Sequence, residues 1–240
     1  MSKISLKHSG GNVVSLNAPT SAPTSADVAF KLPNQDGSAN EVLKTDGSGN
    51  LSFGSGFNPS SLVVLEQFFL LCDGRSVSTS NGTVTTTNVT AAQALTDSFV
   101  AATGSSLTYQ PPTGTTELIF EYKFLFDESN ANDRYLFSYY LDIDGTAILE
   151  SRGGAYTNNN TFNDYVYFKY GFRIGTGSDN ATTGDRASWS SNKTISLKIA
   201  RYNSAYATDL HRLRYYTPGA SSAENIIRRP YVGITAIGSV

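Results

Sequence analysis

The chain has 240 residues, a formal net charge of −2 and only 16% charged residues. This length suffices for one sizeable domain with an appendage. The net charge gives no electrostatic case for a nucleic-acid partner, which normally requires a basic face. The absence of any run of 18 apolar residues excludes a transmembrane helix, and the first nine residues lack the apolar region of a signal peptide. We therefore expect neither a nucleic-acid partner nor membrane insertion.

The polar residues are mainly Ser, Thr, Asn and Gly, and they accompany 14 Tyr and 13 Phe. Strands and turns favour this mixture, whereas helices favour Ala, Leu, Glu and Lys. We therefore predict an all-β protein. The single cysteine, Cys72, excludes an intramolecular disulfide; its apolar neighbours predict a buried structural thiol.

Residues 1–60 contain only three aromatic residues and predict little globular core. Apolar and polar residues alternate over residues 3–8, which predicts a strand, and residues 13–16 are predicted as its return strand after a Gly-Gly-Asn turn. The proline-containing residues 17–26 should be extended. We predict an attachment peptide at residues 1–27 and an intertwined β stalk or linker at residues 28–60. A disordered tail is the alternative.

The most distinctive stretch is residues 28–53, in which the apolar runs 41–44 and 51–53 flank the turn-forming residues 45–50. This arrangement predicts a β-hairpin. An isolated hairpin is marginally stable in water, and the flanking sequence is rich in Gly, Ser and Pro. We therefore expect copies from other chains to cover its apolar side chains, which are Val42, Leu43, Leu51 and Phe53.

This stretch resembles a segment of fibre-like virion proteins of tailed bacteriophages, especially marine cyanophages. The resemblance lies in Leu32-Pro33, residues 36–40 (DGSAN) and residues 42–52 (VLKTDGSGNLS). The family usually has Gln where Glu41 stands and Trp where Phe53 stands. The resemblance implies a particle-bound fibre or spike that is typically trimeric.

Residues 61–240 are richer in aromatic and β-branched residues. Periodicity allows a helix or a buried strand over residues 62–71, and the composition favours the strand. We predict an exposed loop or weak edge strand over residues 76–90 and one helical turn over residues 91–95. Further strands are predicted at residues 98–102, 106–110, 117–126, 134–143, 146–150, 165–174, 193–201, 211–216 and 231–237.

The longest alternating run, residues 117–126, predicts a central strand. Its even positions should face the core, while Glu117, Glu121 and Lys123 face outward. Eight or more strands with Gly-rich turns predict a sandwich, most plausibly a jelly roll. The even positions are Leu118, Phe120, Tyr122, Phe124 and Phe126.

A second resemblance covers this domain. Residues 109–122, 141–146, 182–189 with 193–194, and 232–237 look like segments in C-terminal domains of marine phage structural proteins. Those domains are similar to trimeric jelly rolls of the C1q/TNF type. The resemblance implies that residues 61–240 form the head of a homotrimer.

Candidate chemistry is sparse. The two histidines, His8 and His211, cannot form a His/Cys zinc cluster with one cysteine, and we place His211 on a strand surface. Neither HExxH nor GxSxG occurs. The Asp142 to Gly145 segment predicts a hairpin turn, because an EF-hand requires flanking helices and a twelfth-position Glu. We expect no enzyme activity, cofactor or metal.

Polar loops on a rigid sandwich are the natural binding surface. We place candidate receptor-binding residues in two such loops, with ordinary solvated loops as the alternative. Trp189 is assigned to the core or to a trimer axis. The candidate receptor-binding residues are Tyr156, Asn158, Asn159, Asn160 and Asp179.

These observations predict a bacteriophage fibre or spike protein on the virion surface. It would be a homotrimer anchored to other virion proteins by its N-terminal segment, with a jelly-roll head that contacts a host-surface glycan or protein. The alternative is a structural head fibre or capsid decoration protein without receptor binding. An enzyme is a third, disfavoured reading.

Overall fold

The structure is a computed structural model that describes residues 3–7, 10–11, 13–17, 31–39, 41–55, 62–128, 134–157, 163–219, 222 and 224–239. The chain divides into two compact units, Met1–Asn58 and Pro59–Val240. Each unit has its own strands, and the two are described in turn.

The first unit contains two antiparallel hairpins, which confirms both hairpin predictions. Strand β1 (Lys3–Lys7) pairs with β2 (Val13–Asn17), and β3 (Glu41–Thr45) pairs with β4 (Leu51–Ser55). In the second turn, the Asp46 carboxylate accepts hydrogen bonds from the amides of Ser48, at 2.8 Å, and Asn50, at 3.1 Å. Gly47 and Gly49 adopt φ of 80° and 90°, which glycine tolerates best.

The described part of the second unit contains sixteen further strands and two single-turn 3-10 helices. The 3-10 helices are η1 (Leu149–Ser151) and η2 (Ser204–Tyr206). The strands are β5 (Val63–Leu71), β6 (Ser76–Thr79), β7 (Gly82–Thr85), β8 (Gln93–Ala94), β9 (Val100–Ala101), β10 (Leu107–Tyr109), β11 (Thr115–Glu128), β12 (Tyr135–Ile143), β13 (Thr146–Ala147), β14 (Gly153–Thr157), β15 (Asn163–Arg173), β16 (Lys193–Arg201), β17 (Thr208–Leu210), β18 (Arg212–Tyr215), β19 (Glu224–Ile227) and β20 (Tyr231–Gly238).

Two six-stranded antiparallel sheets form the body of this unit, and the β6–β7 and β18–β19 hairpins form two further two-stranded sheets. The first sheet has the strand order β5-β20-β11-β15. Beyond the end of β20, the last residues of β11 pair with β17, and β17 pairs with β8. The second has β16 and β12 at its centre, β9 and β10 on one edge and β13 and β14 on the other. The eight main strands can be renumbered 1 to 8 in chain order; they are β5, β10, β11, β12, β14, β15, β16 and β20. In this numbering the strand order is 1-8-3-6 in the first sheet and 2-7-4-5 in the second. The predicted all-β class and sandwich are confirmed.

The core lies between the two sheets and is centred on β11. The even positions from Leu118 to Phe126 are 0–2% exposed, as the alternating pattern predicted. Aromatic side chains from the two sheets pack against each other: the ring centres of Phe126 and Phe137 are 4.8 Å apart, and those of Tyr139 and Phe168 are 5.7 Å apart. Trp189 is also buried; its indole nitrogen donates to the Tyr109 carbonyl at 2.9 Å. The prediction of a core position for Trp189 is confirmed.

The segment between β5 and β10 differs in part from expectation. Residues 62–71 form a strand, as predicted, and residues 76–90 contain the β6–β7 hairpin with Val84 buried. The helical turn predicted at residues 91–95 is wrong, because Gln93 and Ala94 pair with β17. The Gln93 amide also donates to the Ala101 carbonyl at 2.9 Å, which holds this backbone extended.

Glu121 faces outward as predicted, although neighbouring side chains bury it, whereas the surface position predicted for His211 is wrong. Glu121 is on the outward face of β11, yet it is 8% exposed because Tyr167 donates a hydrogen bond to its carboxylate and Lys169 forms an ion pair with it. His211 was placed on a strand surface but is fully buried, at the corner between β17 and β18, with φ of 67°. Neither ring nitrogen of His211 has a hydrogen-bond partner within 3.5 Å among the described residues.

Candidate functional site

The most prominent exposed feature of the second unit is a group of three tyrosines and one arginine, which we call the tyrosine cluster. It consists of Tyr156 on β14, Tyr202 after β16, Tyr206 in η2 and Arg134 before β12. The Tyr206 ring lies 6.4 Å from that of Tyr156 and 5.9 Å from that of Tyr202. The Arg134 guanidinium lies 4.8 Å from the centre of the Tyr206 ring.

Local backbone contacts set the positions of these side chains. The Tyr202 amide donates to the Leu136 carbonyl at 2.8 Å, which holds the end of β16 beside β12. The Asn203 side chain accepts a hydrogen bond from the Ala205 amide at 2.9 Å and thereby caps η2. The short helix turns the chain so that Tyr206 lies between Tyr156 and Tyr202.

The tyrosine cluster provides a partly rigid aromatic surface. Tyr156 is 57% exposed and Tyr202 is 67% exposed, so large areas of both rings face solvent. Such rings offer apolar faces for stacking and phenol groups for hydrogen bonds, and an arginine adds a charged donor. This combination suits a saccharide or a polar protein surface.

Sequence reasoning identified only Tyr156 of this cluster. Tyr202 and Tyr206 lie four residues apart around Asn203, a residue type that caps helical turns. That spacing indicates a short helical turn that carries both tyrosines, but it does not show that the turn lies beside β14. The pairing of β12 with both β14 and β16 does so.

The other predicted receptor-binding residues do not join Tyr156. Asn158, Asn159 and Asn160 lie outside the described residues. Tyr156 pairs with Leu136 near the Phe126 end of β11, whereas the loop of Asp179 follows β15 beside Thr116. Those two ends of β11 are roughly 30 Å apart. The expectation that Tyr156 and Asp179 share one end of the domain is therefore wrong.

Asp179 has an internal contact in its own loop. Its carboxylate accepts a hydrogen bond from the Ala187 amide at 2.8 Å, and the Gly175 amide donates to the Arg186 carbonyl at 2.9 Å. These contacts close the loop on itself. A receptor-binding role for Asp179 stays a prediction.

The predicted stalk residues fall on two faces of the β3–β4 hairpin. Leu43 lies opposite Phe53 and shares a face with Leu51, whereas Val42 lies opposite Gly54 on the other face. The interpretation of these residues as one apolar face is therefore wrong for Val42, since adjacent strand residues point to opposite sides. Leu43 is 50% exposed and Phe53 is 41% exposed.

Phe53 has a partner within its own unit, which the sequence did not predict. A Cβ atom on Gly37 would lie only 2.7 Å from the Phe53 ring, so the glycine backbone packs closely against that ring. Lys31 also forms a parallel bridge to Asn50. Residues 31–39 thus cover part of the hairpin, but Leu43 remains half exposed.

A third surface is the outer face of the first sheet, where aromatic side chains form what we call the aromatic strip: Phe69, Tyr167 and Tyr231. The Phe69 and Tyr231 rings stack at 5.4 Å with an interplanar angle of 11°, and Tyr167 meets Phe69 edge-on at 6.5 Å. Each of the three is more than 40% exposed. Such a patch is a candidate protein interface.

The titratable groups in the interior of the second unit are buried or paired with other side chains of the same unit. Burial raises the pKa of the Cys72 thiol to about 12 and lowers the pKa of His211 to about 4; the predicted structural role of Cys72 is confirmed. Burial also raises the pKa of Asp127, and its hydrogen bonds from Arg214 and Arg212 partly oppose this. The described residues contain no group of three His, Cys, Asp or Glu that could hold a metal ion.

The predicted hairpin turn at Asp142 to Gly145 is confirmed. β12 pairs with β13, and Asp144 and Gly145 adopt φ of 51° and 81°, as the turn residues of a two-residue hairpin often do. The Asp144 carboxylate accepts a hydrogen bond from the Thr194 amide at 2.7 Å. The Asp142 carboxylate accepts a hydrogen bond from the Gly145 amide at 3.1 Å, so both aspartates stabilise the turn and its position beside β16.

Within the described ranges, no helix has the length and apolar character required to cross a membrane. Neither a family model nor a curated protein matches this chain.

Structural comparison finds low similarity to two structures of infectious bursal disease virus. The VP2 subviral particle aligns with a TM-score of 0.31 and 11% identity, over 79% of this chain and 35% of that chain. A structure of the Gt strain aligns with a TM-score of 0.32 and 12% identity, over 92% of this chain and 50% of that chain. This chain thus spans between about a third and a half of those chains. At these TM-scores, neither structure indicates what this chain does.

Proposed function

We propose that this chain is a fibre or spike protein of a bacteriophage virion. It acts as a homotrimer that is attached to the particle by its N-terminal segment and carries a jelly-roll head. The observation that carries the proposal is the β3–β4 hairpin. Its sequence has the fibre resemblance, and its face of Leu43, Leu51 and Phe53 is left partly exposed.

The energetics of the hairpin support assembly. Burial of one large apolar side chain contributes roughly 1.5 to 3 kcal/mol. Three copies of Leu43, Leu51 and Phe53 around one axis would offset much of the entropy lost when a Gly-rich segment is ordered. A closed ring of identical contacts needs no second protein.

The architecture of the second unit is compatible with the same proposal. Its strand orders 1-8-3-6 and 2-7-4-5 fit a jelly roll, in which eight antiparallel strands form two sheets. The aromatic strip gives each copy an exposed apolar surface that a neighbouring copy can cover.

We assign host contact to the tyrosine cluster. Its exposed rings lie at one end of a rigid sandwich, and loops and strand ends in that setting commonly carry binding function. Stacking and hydrogen bonding from Tyr156, Tyr202 and Tyr206 suit a host-surface glycan. The alternative function, a structural head fibre or capsid decoration protein, needs no such contact.

Two measurements on the purified full-length chain test the proposal. Light scattering at micromolar concentration should give about three times the chain mass of 25.8 kDa, and the labelled protein should adsorb to marine cyanobacterial cells. A stable monomer contradicts the fibre. A trimer that adsorbs to no strain in a broad panel favours the structural alternative, which cryo-EM of the particle would then locate.

We also propose that the protein binds without catalysing a reaction. The proposal rests on the interior titratable groups, because Cys72 and His211 are buried and Asp127 is engaged by two arginines. Incubation with host polysaccharide should release no reducing sugar. Release that is abolished by substitution of one carboxylate residue would contradict this.

A further inference from the structure

A cavity of about 380 Å³ lies at the edge of the first sheet's outer face and is lined by three cations and two tyrosines. We call it the basic pocket and define it by Lys123, Tyr165, Arg228, Arg229 and Tyr231. Its volume is within the range of about 300–1,000 Å³ that is typical of small-ligand sites. Tyr231 also belongs to the aromatic strip, but the functions proposed above assign no role to the three cations.

Two separate elements bring the three cations together. Lys123 is on β11, where it lies opposite Tyr231 of β20 and Tyr167 of β15. Arg228 and Arg229 occupy the connection from β19 to β20. The Arg228 amide donates to the His211 carbonyl at 2.8 Å, and the Arg229 side chain donates to the Val89 carbonyl at 3.2 Å. These contacts fix the connection beside the sheet.

The positive charge of the basic pocket is not neutralised by a lining carboxylate. Among the described residues, no ion pair involves Lys123, Arg228 or Arg229. Glu121 precedes Lys123 by two residues on the same face, but Tyr167 and Lys169 engage its carboxylate. Three cations that line one cavity without a lining carboxylate favour an anion with more than one negative charge.

The two tyrosines extend the recognition beyond charge. Tyr165 is 52% exposed and Tyr231 is 41% exposed. The Lys123 ammonium lies 5.3 Å from the centre of the Tyr165 ring, which places the cation beside an aromatic face. A ligand that joins an anionic group to a ring with apolar faces would use both features.

We propose that the basic pocket binds a phosphate-bearing saccharide unit. The cations would hold the phosphate by charge-assisted hydrogen bonds, while the Tyr165 and Tyr231 rings contact the sugar. A phosphorylated sugar fits better than a nucleic acid, since the chain as a whole carries a net charge of −2. The inference deepens the proposed host contact by naming a substrate class, and it rests on that function for the source of the sugar.

The test is isothermal titration calorimetry on the full-length protein with glucose 6-phosphate, inorganic phosphate and glucose. We expect saturable binding of glucose 6-phosphate, weaker binding of phosphate and none of glucose. The double variant Lys123→Gln, Arg228→Gln should bind at least about tenfold more weakly, because each change removes a charged hydrogen-bond donor. The double variant Arg152→Gln, Lys198→Gln, which makes the same charge change at the other sheet, is the matched control.

Three results would overturn the inference. They are no saturable binding at concentrations up to about 10 mM, an unchanged affinity in the double variant, or equal affinities for phosphate and glucose 6-phosphate. Tighter binding of a single-stranded oligonucleotide would replace the saccharide with a nucleic acid. If the protein is a trimer that adsorbs to cells but does not bind glucose 6-phosphate, only the inference about the basic pocket is wrong. If it is a monomer that binds glucose 6-phosphate, only the fibre proposal is contradicted.

Discussion

Leu43 lies directly opposite Phe53 in the β3–β4 hairpin, and the two side chains form an exposed apolar pair. Val42, the residue before Leu43, points to the other face beside Gly54. A strand alternates its side chains strictly between two faces. The hairpin therefore offers two neighbouring apolar residues that should respond differently if one face mediates assembly.

We predict that Leu43→Asp weakens the trimer far more than Val42→Asp does. The aspartate at position 43 would place three charges next to the apolar face of Leu51 and Phe53, where desolvation disfavours them. Light scattering across a dilution series should show dissociation of Leu43→Asp at concentrations where wild type and Val42→Asp remain trimeric. Equal behaviour of the two variants would exclude this face as the interface.

Substitution of the tyrosine cluster should reduce host contact. Tyr156→Ala combined with Tyr202→Ala removes two exposed rings, and truncation of central aromatic residues commonly weakens binding by about tenfold or more. Adsorption of labelled trimer to a susceptible cyanobacterial strain should fall by at least that factor while the melting temperature stays close to wild type. Asp179→Ala tests the other predicted receptor-binding loop, at the opposite end, and should leave adsorption unchanged if the tyrosine cluster alone makes the contact. The reverse pattern would move the binding surface to the Asp179 loop.

Trp189→Phe should destabilise the second unit. The indole donates a hydrogen bond to the Tyr109 carbonyl and stacks on Phe172 at 5.7 Å. Loss of the donor in a buried setting costs about 2 kcal/mol. Trp189 is the single tryptophan, so urea unfolding should be followed by circular dichroism rather than by fluorescence. Tyr202→Phe, on the exposed surface, should change stability by less than about 0.5 kcal/mol; equal stability of Trp189→Phe and wild type would contradict the assigned role.

His211 should make the protein less stable in mild acid. Burial lowers its pKa to about 4 in the folded state, from an ordinary value of 6.5. Between these values the unfolded state binds more protons, so this stabilising contribution is present above pH 6.5 and is lost as pH falls toward 4. The free energy of unfolding should be about 2 kcal/mol lower at pH 5 than at pH 7 from this group alone.

The variant His211→Asn isolates that contribution, because Asn lacks the titration and tolerates a positive φ. Its stability should change less between pH 7 and pH 5 than that of wild type. Parallel pH curves for the two proteins would contradict the buried, neutral histidine. Asp127 has a raised pKa from burial and therefore acts in the opposite direction, and it is common to both proteins.

Several features of the fold were determined by local sequence. The alternation in residues 117–126 fixed which side chains of β11 face the core, because a strand has a period of two. Gly and Asp residues fixed the turns at Gly47, Gly49 and Gly145, where positive φ favours them. Among the candidate surface residues, the local sequence also predicted those of the β3–β4 hairpin and Tyr156.

Other features depend on contacts between residues far apart in the chain, and only the tertiary structure decided them. The burial of Glu121 and His211 depends on the strands that pack beside them. The tyrosine cluster exists because β12 pairs with both β14 and β16, and the basic pocket exists because β20 places Arg228 and Arg229 near Lys123 of β11. Sequence periodicity specifies the face of a strand but not its neighbour, since strand pairing is decided by the packing of the whole sandwich.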